Sequence, residues 1–168
     1  MAQLGKYIRQ VMLKDFGIEK QLQLSRARVL VIGAGGLSCP ALQYLNSMGV
    51  GTLGIIDSDR VAESNLHRQI LYGPQDIGRF KVDAAREHLQ AQNPDTLIHV
   101  YADKLHTCNA LSLIAEYDLV LDGSDNFETR YLVNDACLLC NKPWIYASVY
   151  AHEGQLAVFN HAHQGKTT

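Results

Sequence analysis

Short apolar runs alternate with stretches of helical spacing along this chain, and the alternation predicts strands and helices in turn. The clearest example is the apolar run Val29–Ile32, which is rich in β-branched residues and is followed at once by a glycine-rich turn. Such a run is typical of a buried parallel strand. The helix after the turn is predicted to open at Ser38 or Cys39, to have Pro40 in its first turn and to end at Gly49.

The rest of the chain continues the alternation. An amphipathic segment, Tyr7–Leu24, precedes the first strand, and the polar stretch Ser58–Arg79 is too long for a simple turn. The last two strands are predicted to form a hairpin around a turn at Glu153 and Gly154. The further predicted strands are Thr52–Asp57, Thr96–Tyr101, Leu119–Leu121 with Asp122 at its end, Ile145–Tyr150 and Gln155–Asn160. The further predicted helices are Phe80–Gln92, Thr107–Tyr117 and a last helix that reaches about Cys140. Ser124, Asp125 or Asn126 can cap this last helix.

This order of elements predicts an α/β fold: a doubly wound, mostly parallel, Rossmann-like sheet with a final hairpin and an N-terminal helical segment. At 168 residues and 47% hydrophobic content, residues 1–168 are expected to form a single domain. Fifteen basic and 17 acidic residues leave a formal charge of −2, which provides no general field for nucleic acid or an anionic membrane. Without a secretory leader pattern or an apolar run of roughly 20 residues, a cytoplasmic protein is expected.

The four cysteines and seven histidines are scattered along the chain, and free thiols are expected. Cys137 and Cys140 form a CxxC pair that could bind zinc or act as a redox dithiol. The pair lies in a segment of helical apolar spacing, so we expect core-facing or partly buried thiols and no zinc. His161 and His163 are interpreted as part of a solvated tail and not as a pair of metal ligands.

Polar motifs follow the carboxyl ends of several predicted strands. In a doubly wound sheet these ends share the edge that holds the ligand. Glycine amides there can cradle phosphates, a carboxylate can accept hydrogen bonds from ribose hydroxyls, and cations can neutralise a triphosphate. The groups expected to converge are the turn Gly33–Gly36, Asp57 and Asp59, the segment Gly123–Asn126, and the side chains of Asn65, Arg68 and Lys81.

These residues leave alternatives open. The glycine turn with Asp57 fits a nicotinamide or flavin dinucleotide as well as ATP. Arg68 and Lys81 could be solvated surface charges. Asp125 could simply cap the following helix, and Asn65 could only shape a turn.

Six motifs in order nevertheless resemble the HesA/MoeB/ThiF family over nearly the whole chain. They are KYIRQ at 6–10, GAGGLS at 33–38, DSD at 57–59, SNLHRQ at 64–69, GRFKV at 78–82 and GSDNFETR at 123–130. The resemblance implies an adenylyltransferase that uses ATP and Mg²⁺. The C-terminal glycine carboxylate of a ubiquitin-like sulfur-carrier protein would attack the α-phosphate and release pyrophosphate. Such carriers serve thiamine or molybdopterin biosynthesis, and family members usually work as homodimers.

The resemblance also implies roles for single residues. Asp57 would hold the ribose hydroxyls with help from Asp59. Asp125 would serve Mg²⁺ and the adenylation step, while Arg9 would reach into the partner subunit's site. The implied catalytic residues are Arg9, Arg68, Lys81 and Asp125, and the implied cofactor-binding residues are Gly33, Gly35, Gly36, Asp57, Asp59, Asn65, Arg68, Gln69, Lys81, Asp125 and Asn126.

The chain departs from the family pattern at Ser38, where glycine is more frequent, and at Lys6, where arginine is usual. Ser38 is expected to cap the helix that begins there. Many family members continue beyond the position of Thr168 into a region with two CxxC zinc pairs, which we expect this chain to lack. Two other functions therefore stay open: a truncated, catalytically incomplete nucleotide-binding module, and an NAD- or FAD-dependent oxidoreductase.

Overall fold

Six strands form one sheet. The computed structural model describes residues 4–161, and its strands are β1 Arg28–Ile32, β2 Thr52–Ile56, β3 Leu97–Tyr101, β4 Leu119–Asp122, β5 Trp144–Tyr150 and β6 Glu153–Phe159. Their spatial order is β3-β2-β1-β4-β5-β6. All neighbouring pairs are parallel except β5 and β6, which form an antiparallel hairpin. The predicted doubly wound sheet with a final hairpin is confirmed.

Helices cover both faces of this sheet. Within residues 4–161 they are α1 Ile8–Val11, α2 Gly17–Leu24, α3 Ser38–Ser47, α4 Lys81–Gln92, α5 Ala110–Ala115 and α6 Phe127–Leu139, with 3₁₀ turns at Leu4–Tyr7, Glu63–Asn65 and Pro74–Asp76. Helices α3 and α4 contribute to one buried apolar cluster and α5 and α6 to the other. Among the described residues, no helix has both the length and the apolar character needed to cross a bilayer.

Strand β1 lies at the centre because its side chains are apolar on both faces. Val29 and Val31 pack with α3 and α4, whereas Leu30 and Ile32 pack with α5 and α6. A strand buried on both faces requires an unbroken apolar run, which is the pattern that predicted it.

The thiols of Cys137 and Cys140 are buried and partly buried, as expected. Burial raises the pKa of Cys137 to about 12, so this thiol stays protonated.

The N-terminal segment is helical but interrupted. Residues 12–16 separate α1 from α2, and Gly17 has a φ of +68°, in the left-handed region that a continuous right-handed helix does not use. Most of the apolar side chains in this segment are exposed: Met12 is 71% and Leu13 is 61% exposed. Tyr7 is buried and Leu24 packs against the core, so only part of the predicted apolar face is buried within this chain.

Two other details differ from the sequence-based expectation. The hairpin turn lies at Ala151 and His152, and the predicted turn residues Glu153 and Gly154 begin β6. Ala151 adopts a φ of +50°, because the pairing of Tyr150 with Glu153 leaves only two residues to reverse the chain. Helix α5 is shorter than predicted because Asn109 bonds locally to the amide of His106 and the carbonyl of Lys104. His163 lies outside the described residues.

Gly54 in β2 generates a prediction about stability. A Cβ at this position would overlap the phenol oxygen of the fully buried Tyr117. We expect Gly54→Ala to lower the free energy of unfolding by ~1–3 kcal/mol because the core cannot absorb the added volume. Urea denaturation measures the change. In the control Gly154→Ala the added Cβ would meet only the Ser148 carbonyl at 3.9 Å, and equal losses in both variants would contradict the prediction.

Candidate nucleotide-binding site

The candidate site lies where the order of the strands reverses. From β1 the chain moves outward through β2 and β3 and then returns to β4 on the other side of β1. In open α/β sheets the crevice at such a switch point, beyond the carboxyl ends of the strands, is the usual ligand site. Gly33, which follows β1, touches Gly123, which follows β4: a Cβ on Gly33 would lie 3.2 Å from the Gly123 carbonyl oxygen. Gly33 also has a φ of +80°.

The glycine turn is held in place through Ala34. Its amide donates to Asp57 Oδ2 at 2.7 Å, and its carbonyl accepts from the Tyr72 hydroxyl at 2.9 Å. The turn therefore has a defined shape without a ligand. Within residues 4–161 the amides of Gly35 and Gly36 donate no hydrogen bond. These two free donors precede α3 and suit a bound phosphate.

Lys81 is the buried cation of the site. Only 5% of this residue is exposed, and its Nζ lies 2.8 Å from Asp59 Oδ2 and 3.9 Å from Asp57 Oδ2. Asp57 Oδ1 accepts from the Asp59 amide at 2.7 Å, so one carboxylate links the glycine turn, the end of β2 and the lysine. The interpretation of Lys81 as a solvated surface charge is wrong. A buried ammonium is stable here because two carboxylates compensate it.

The long loop after β2 brings three further predicted residues to the glycine turn. Arg68 Nη2 donates to Asn65 Oδ1 at 2.8 Å. The stem of Arg68 lies over Gly36, where an added Cβ would be 3.4 Å from Arg68 Cγ. Gln69 is 3% exposed, its Nε2 lies beside Gly35, and its Oε1 has no hydrogen-bond partner in the described structure. A buried amide oxygen without a partner is expected to meet a ligand or water.

Asp76 orders this long loop. Its buried carboxylate accepts from the Gly73 amide, from Arg79 and from His88 Nε2, each within 2.9 Å. Burial acts to raise the pKa of Asp76, but the hydrogen bonds from Gly73 and His88 and the Arg79 charge hold it below its usual range. The loop therefore presents Arg68 and Gln69 from a rigid base.

The segment after β4 shows which residue caps α6, a question that the sequence left open. Asn126 Oδ1 accepts from the Thr129 amide at 2.9 Å and caps α6. The interpretation of Asp125 as the cap is therefore wrong. Asp125 is exposed, and its carboxylate has no hydrogen bond or ion pair within residues 4–161. One free carboxylate suits Mg²⁺, which binds proteins through one or two carboxylates together with substrate phosphates. The described residues contain no cluster of three metal-binding side chains.

Ser38 does not cap α3. It is itself the first residue of that helix, and its Oγ has no partner among the described residues. The hydroxyl packs against Gly123, because a Cβ on Gly123 would overlap Ser38 Oγ. The serine therefore fills the crevice floor where the glycine turn meets the end of β4, and it needs glycine at position 123.

Arg9 is not part of the site in its own chain. It lies on the exposed side of α1, whose neighbours contact the amino edge of the sheet: Lys6 Nζ donates to Asn93 Oδ1 at 2.6 Å and Gln10 Nε2 to the Met48 carbonyl at 2.9 Å. Asn93 and Met48 precede β3 and β2, so α1 lies at the edge opposite the glycine turn.

Sequence reasoning missed Tyr72, Asp122 and Arg130. Tyr72 holds the glycine turn, and burial raises its pKa so that the hydroxyl stays a donor. Asp122 ends β4 as predicted but is completely buried, and Arg130 bonds to the carbonyl of Ser124. The contacts of Tyr72 with Ala34 and of Arg130 with Tyr146 join distant segments, which no local pattern marks. Arg130 ends the motif at 123–130, which was the available signal for it.

Asp122 generates a prediction about pH. Burial raises the pKa of its carboxyl, while the hydrogen bond from the Ser124 amide and the charge of Arg130 oppose the rise. The folded state therefore binds a proton more tightly than the unfolded state, from about pH 4 upward. Because the folded state holds more protons in that window, its stability falls as pH rises. We expect the free energy of unfolding of the native chain to fall relative to Asp122→Asn between about pH 4 and pH 7.

Urea denaturation at several pH values gives this difference directly. Asp135→Asn is the matched control, because Asp135 is exposed on α6. A difference between native chain and Asp122→Asn that does not change with pH would contradict the assignment.

The sequence matches the family model described as ThiF family over residues 7–168. The sulfur carrier protein adenylyltransferase of Thermus thermophilus is 50% identical over 159 residues, which are 95% of this chain and 59% of that protein. The probable adenylyltransferase/sulfurtransferase MoeZ of Mycobacterium tuberculosis is 49% identical over 157 residues, 94% of this chain and 40% of that protein. The chain thus spans less than two thirds of the length of these curated relatives.

Solved structures share the fold. The crystal structure of PaaA superposes with a TM-score of 0.78 at 24% identity, over 87% of this chain and 47% of that chain. The structure of Escherichia coli MccB with AMPCPP and MccA superposes with a TM-score of 0.72 at 28% identity, over 76% of this chain and 38% of that chain. The family model covers almost every residue, and the resemblance carried by the six motifs is thereby confirmed: this chain belongs to the ThiF family.

Proposed function

We propose that this chain is the ATP-binding adenylation unit of an enzyme that activates the C-terminal glycine carboxylate of a ubiquitin-like sulfur-carrier protein. The observation that carries the proposal is the buried Lys81, held by Asp57 and Asp59 beside the free amides of the glycine turn. A dinucleotide site explains the glycine turn and Asp57 but gives no reason to bury a lysine there. The names of the relatives, adenylyltransferase and sulfur carrier, support the same reaction.

The residues divide the work of binding ATP. Free amides of Gly35 and Gly36 bind phosphate oxygens, and Asp57 retains lone pairs for ribose hydroxyls. Arg68 and Lys81 neutralise the triphosphate. Asp125 would hold Mg²⁺, which screens the phosphate charge when bound. Thiamine and molybdopterin biosynthesis are the proposed settings for the carrier, and the cytoplasm is the proposed location.

The chemical step needs positioning and charge more than proton transfer. A carrier carboxylate oxygen forms a bond to the α-phosphorus, the bond from that phosphorus to the bridging oxygen breaks, and pyrophosphate leaves with the electron pair. A C-terminal carboxyl titrates near pKa ~3.5, so the nucleophile is ionised at neutral pH and needs no general base. Negative charge moves onto the leaving pyrophosphate, where cations stabilise it. Arg68 and Lys81 are placed to do this.

A homodimer would complete the site. Arg9 lies at the sheet edge opposite its own glycine turn, so it can serve only a site on another copy. The neighbouring side chains of Met12 and Leu13 are apolar and mostly exposed, which supports a surface that a second copy covers. The proposed site therefore takes Arg9 from the partner.

ATP binding is tested by thermal unfolding of the 168-residue chain with ATP and Mg²⁺, with NAD, with FAD and without ligand. A hundredfold excess over the dissociation constant adds ~2.7 kcal/mol of stability to the folded state. We expect ATP with Mg²⁺, but neither NAD nor FAD, to raise the midpoint of thermal unfolding, and we expect Lys81→Ala to abolish this rise. The exposed Lys104 supplies the control Lys104→Ala. The proposal would be overturned if only NAD or FAD raised the midpoint, or if none of the ligands raised it.

The same chain should catalyse carrier-dependent exchange of pyrophosphate into ATP, and Asp125→Ala should abolish the exchange. The probe is a ubiquitin-like sulfur-carrier protein with an intact C-terminal glycine. ATP binding without any exchange would favour the alternative of a catalytically incomplete nucleotide-binding module.

Complementation tests the role of Arg9. Arg9→Ala and Asp125→Ala should each be inactive in pyrophosphate exchange. In a re-equilibrated equal mixture half of the dimers are mixed and each has one intact site, so about one quarter of the native activity should return. A mixture of Asp125→Ala with the double variant is the control and should stay inactive. If the first mixture also stays inactive while native mass spectrometry shows mixed dimers, Arg9 does not act across the interface.

A further inference from the structure

Arg130 connects the segment after β4 to the final hairpin. Its Nη2 donates to the Ser124 carbonyl at 3.0 Å and its Nη1 to the Tyr146 hydroxyl at 3.3 Å. Ser124 immediately precedes Asp125, whereas Tyr146 is in the middle of β5. One guanidinium thus joins the carboxyl end of β4, the first turn of α6 and the neighbouring strand.

Aromatic rings and a buried acid fix the position of this guanidinium. Its central carbon lies 5.2 Å from the centroid of the Tyr146 ring and 5.4 Å from that of Phe127. Contacts of this kind favour a planar cation. The positive charge of Arg130 also lowers the pKa of Asp122, against the larger effect of burial. Arg130 is therefore held from several directions and cannot swing freely.

The contact continues into the hairpin. The Tyr146 hydroxyl lies 2.8 Å from Ser148 Oγ and 3.3 Å from Gln155 Oε1, so it accepts from Arg130 and can donate to one of these two. Gln155 belongs to β6, directly paired with Ser148. A chain of polar contacts therefore runs from the crevice loop to the outermost strand.

Asp125 depends on its neighbours for its direction. Its own carboxylate makes no contact within residues 4–161, and the side chain of Asn126 is occupied in capping α6. The Ser124 amide donates to Asp122 Oδ1 at 2.9 Å, and the Ser124 carbonyl accepts from Arg130. The peptide groups on both sides of Ser124, the residue before Asp125, are thus fixed by other side chains.

We propose that Arg130 is a positioning residue, whose two-pronged contact with Ser124 and Tyr146 holds residues 123–126 so that Asp125 faces the crevice. The reaction that this arrangement serves rests on the proposed adenylation function. The contact itself is a property of the fold and is testable separately. Lysine cannot replace arginine here, because an ammonium lacks the planar fork that reaches both acceptors.

Hydrogen exchange tests the contact without any activity assay. In Arg130→Met and in Arg130→Lys, the hydrogen-bonded amides of residues 123–126, those of Gly123 and Ser124, should exchange about tenfold faster than in the native chain, while those of β1 and α4 stay unchanged. Arg86→Met is the matched control, because Arg86 is an exposed arginine whose one ion-pair partner within residues 4–161 is Asp83 on its own helix. Unchanged exchange in residues 123–126, or faster exchange throughout the chain, would overturn the inference.

Kinetics of carrier-dependent pyrophosphate exchange test the consequence. Both Arg130 variants should lose at least about tenfold in kcat with less than a twofold change in KM for ATP, since misplacing a reacting group costs rate and not ground-state binding. Tyr146→Phe keeps the aromatic ring but removes the hydroxyl that accepts from Arg130, and should give a smaller loss of kcat. Native kcat in Arg130→Lys would contradict the two-pronged contact.

The two proposals fail in different ways. A native chain that shows no exchange refutes the proposed function, and the hydrogen-exchange result still decides whether Arg130 holds the segment. An active native chain whose Arg130 variants keep both kcat and slow amide exchange refutes the inference alone.

Discussion

The site depends on the ion pairs that keep Lys81 buried. A nearly inaccessible ammonium is stable only because Asp57 and Asp59 compensate its charge. Asp57 at the same time accepts the amide of Ala34 in the glycine turn. One of the two carboxylates that compensate the lysine, Asp57, therefore also shapes the turn, and charge and backbone geometry are linked at this residue.

This linkage preorganises the crevice for the anion that we propose it binds. The turn has a defined shape before any ligand arrives, and the amides of Gly35 and Gly36 are left as donors. A triphosphate would bring negative charge close to Asp57 and Asp59, so its binding requires the added positive charge of Arg68 and of a divalent cation. The carboxylate of Asp125, which makes no hydrogen bond or ion pair among the described residues, is the proposed protein ligand for that cation.

The two halves of the crevice are supported differently. The glycine turn lies against Tyr72 and the loop that Asp76 orders, which are all on the side of α3 and α4. The segment carrying Asp125 has no such loop, and its support comes from Arg130 and Tyr146 on the side of α6. The final hairpin is thus connected to the site through polar contacts, although no predicted site residue lies on it.

The sequence by itself determined the succession of strands and helices along the chain, the glycine turn, the convergence of the motifs and the family, because each depends on local spacing or on the order of motifs along the chain. It misplaced the cap of α3 at Ser38, because this side chain packs against Gly123. It also misplaced the hairpin turn at Glu153 and Gly154, because the register of β5 and β6 overrides the local turn preference. Only the tertiary structure showed that Lys81 is buried, that α1 lies at the far edge, and that Tyr72 and Arg130 hold the crevice. These contacts join residues on different elements, and residue type and spacing do not specify which of them meet when the sheet is packed.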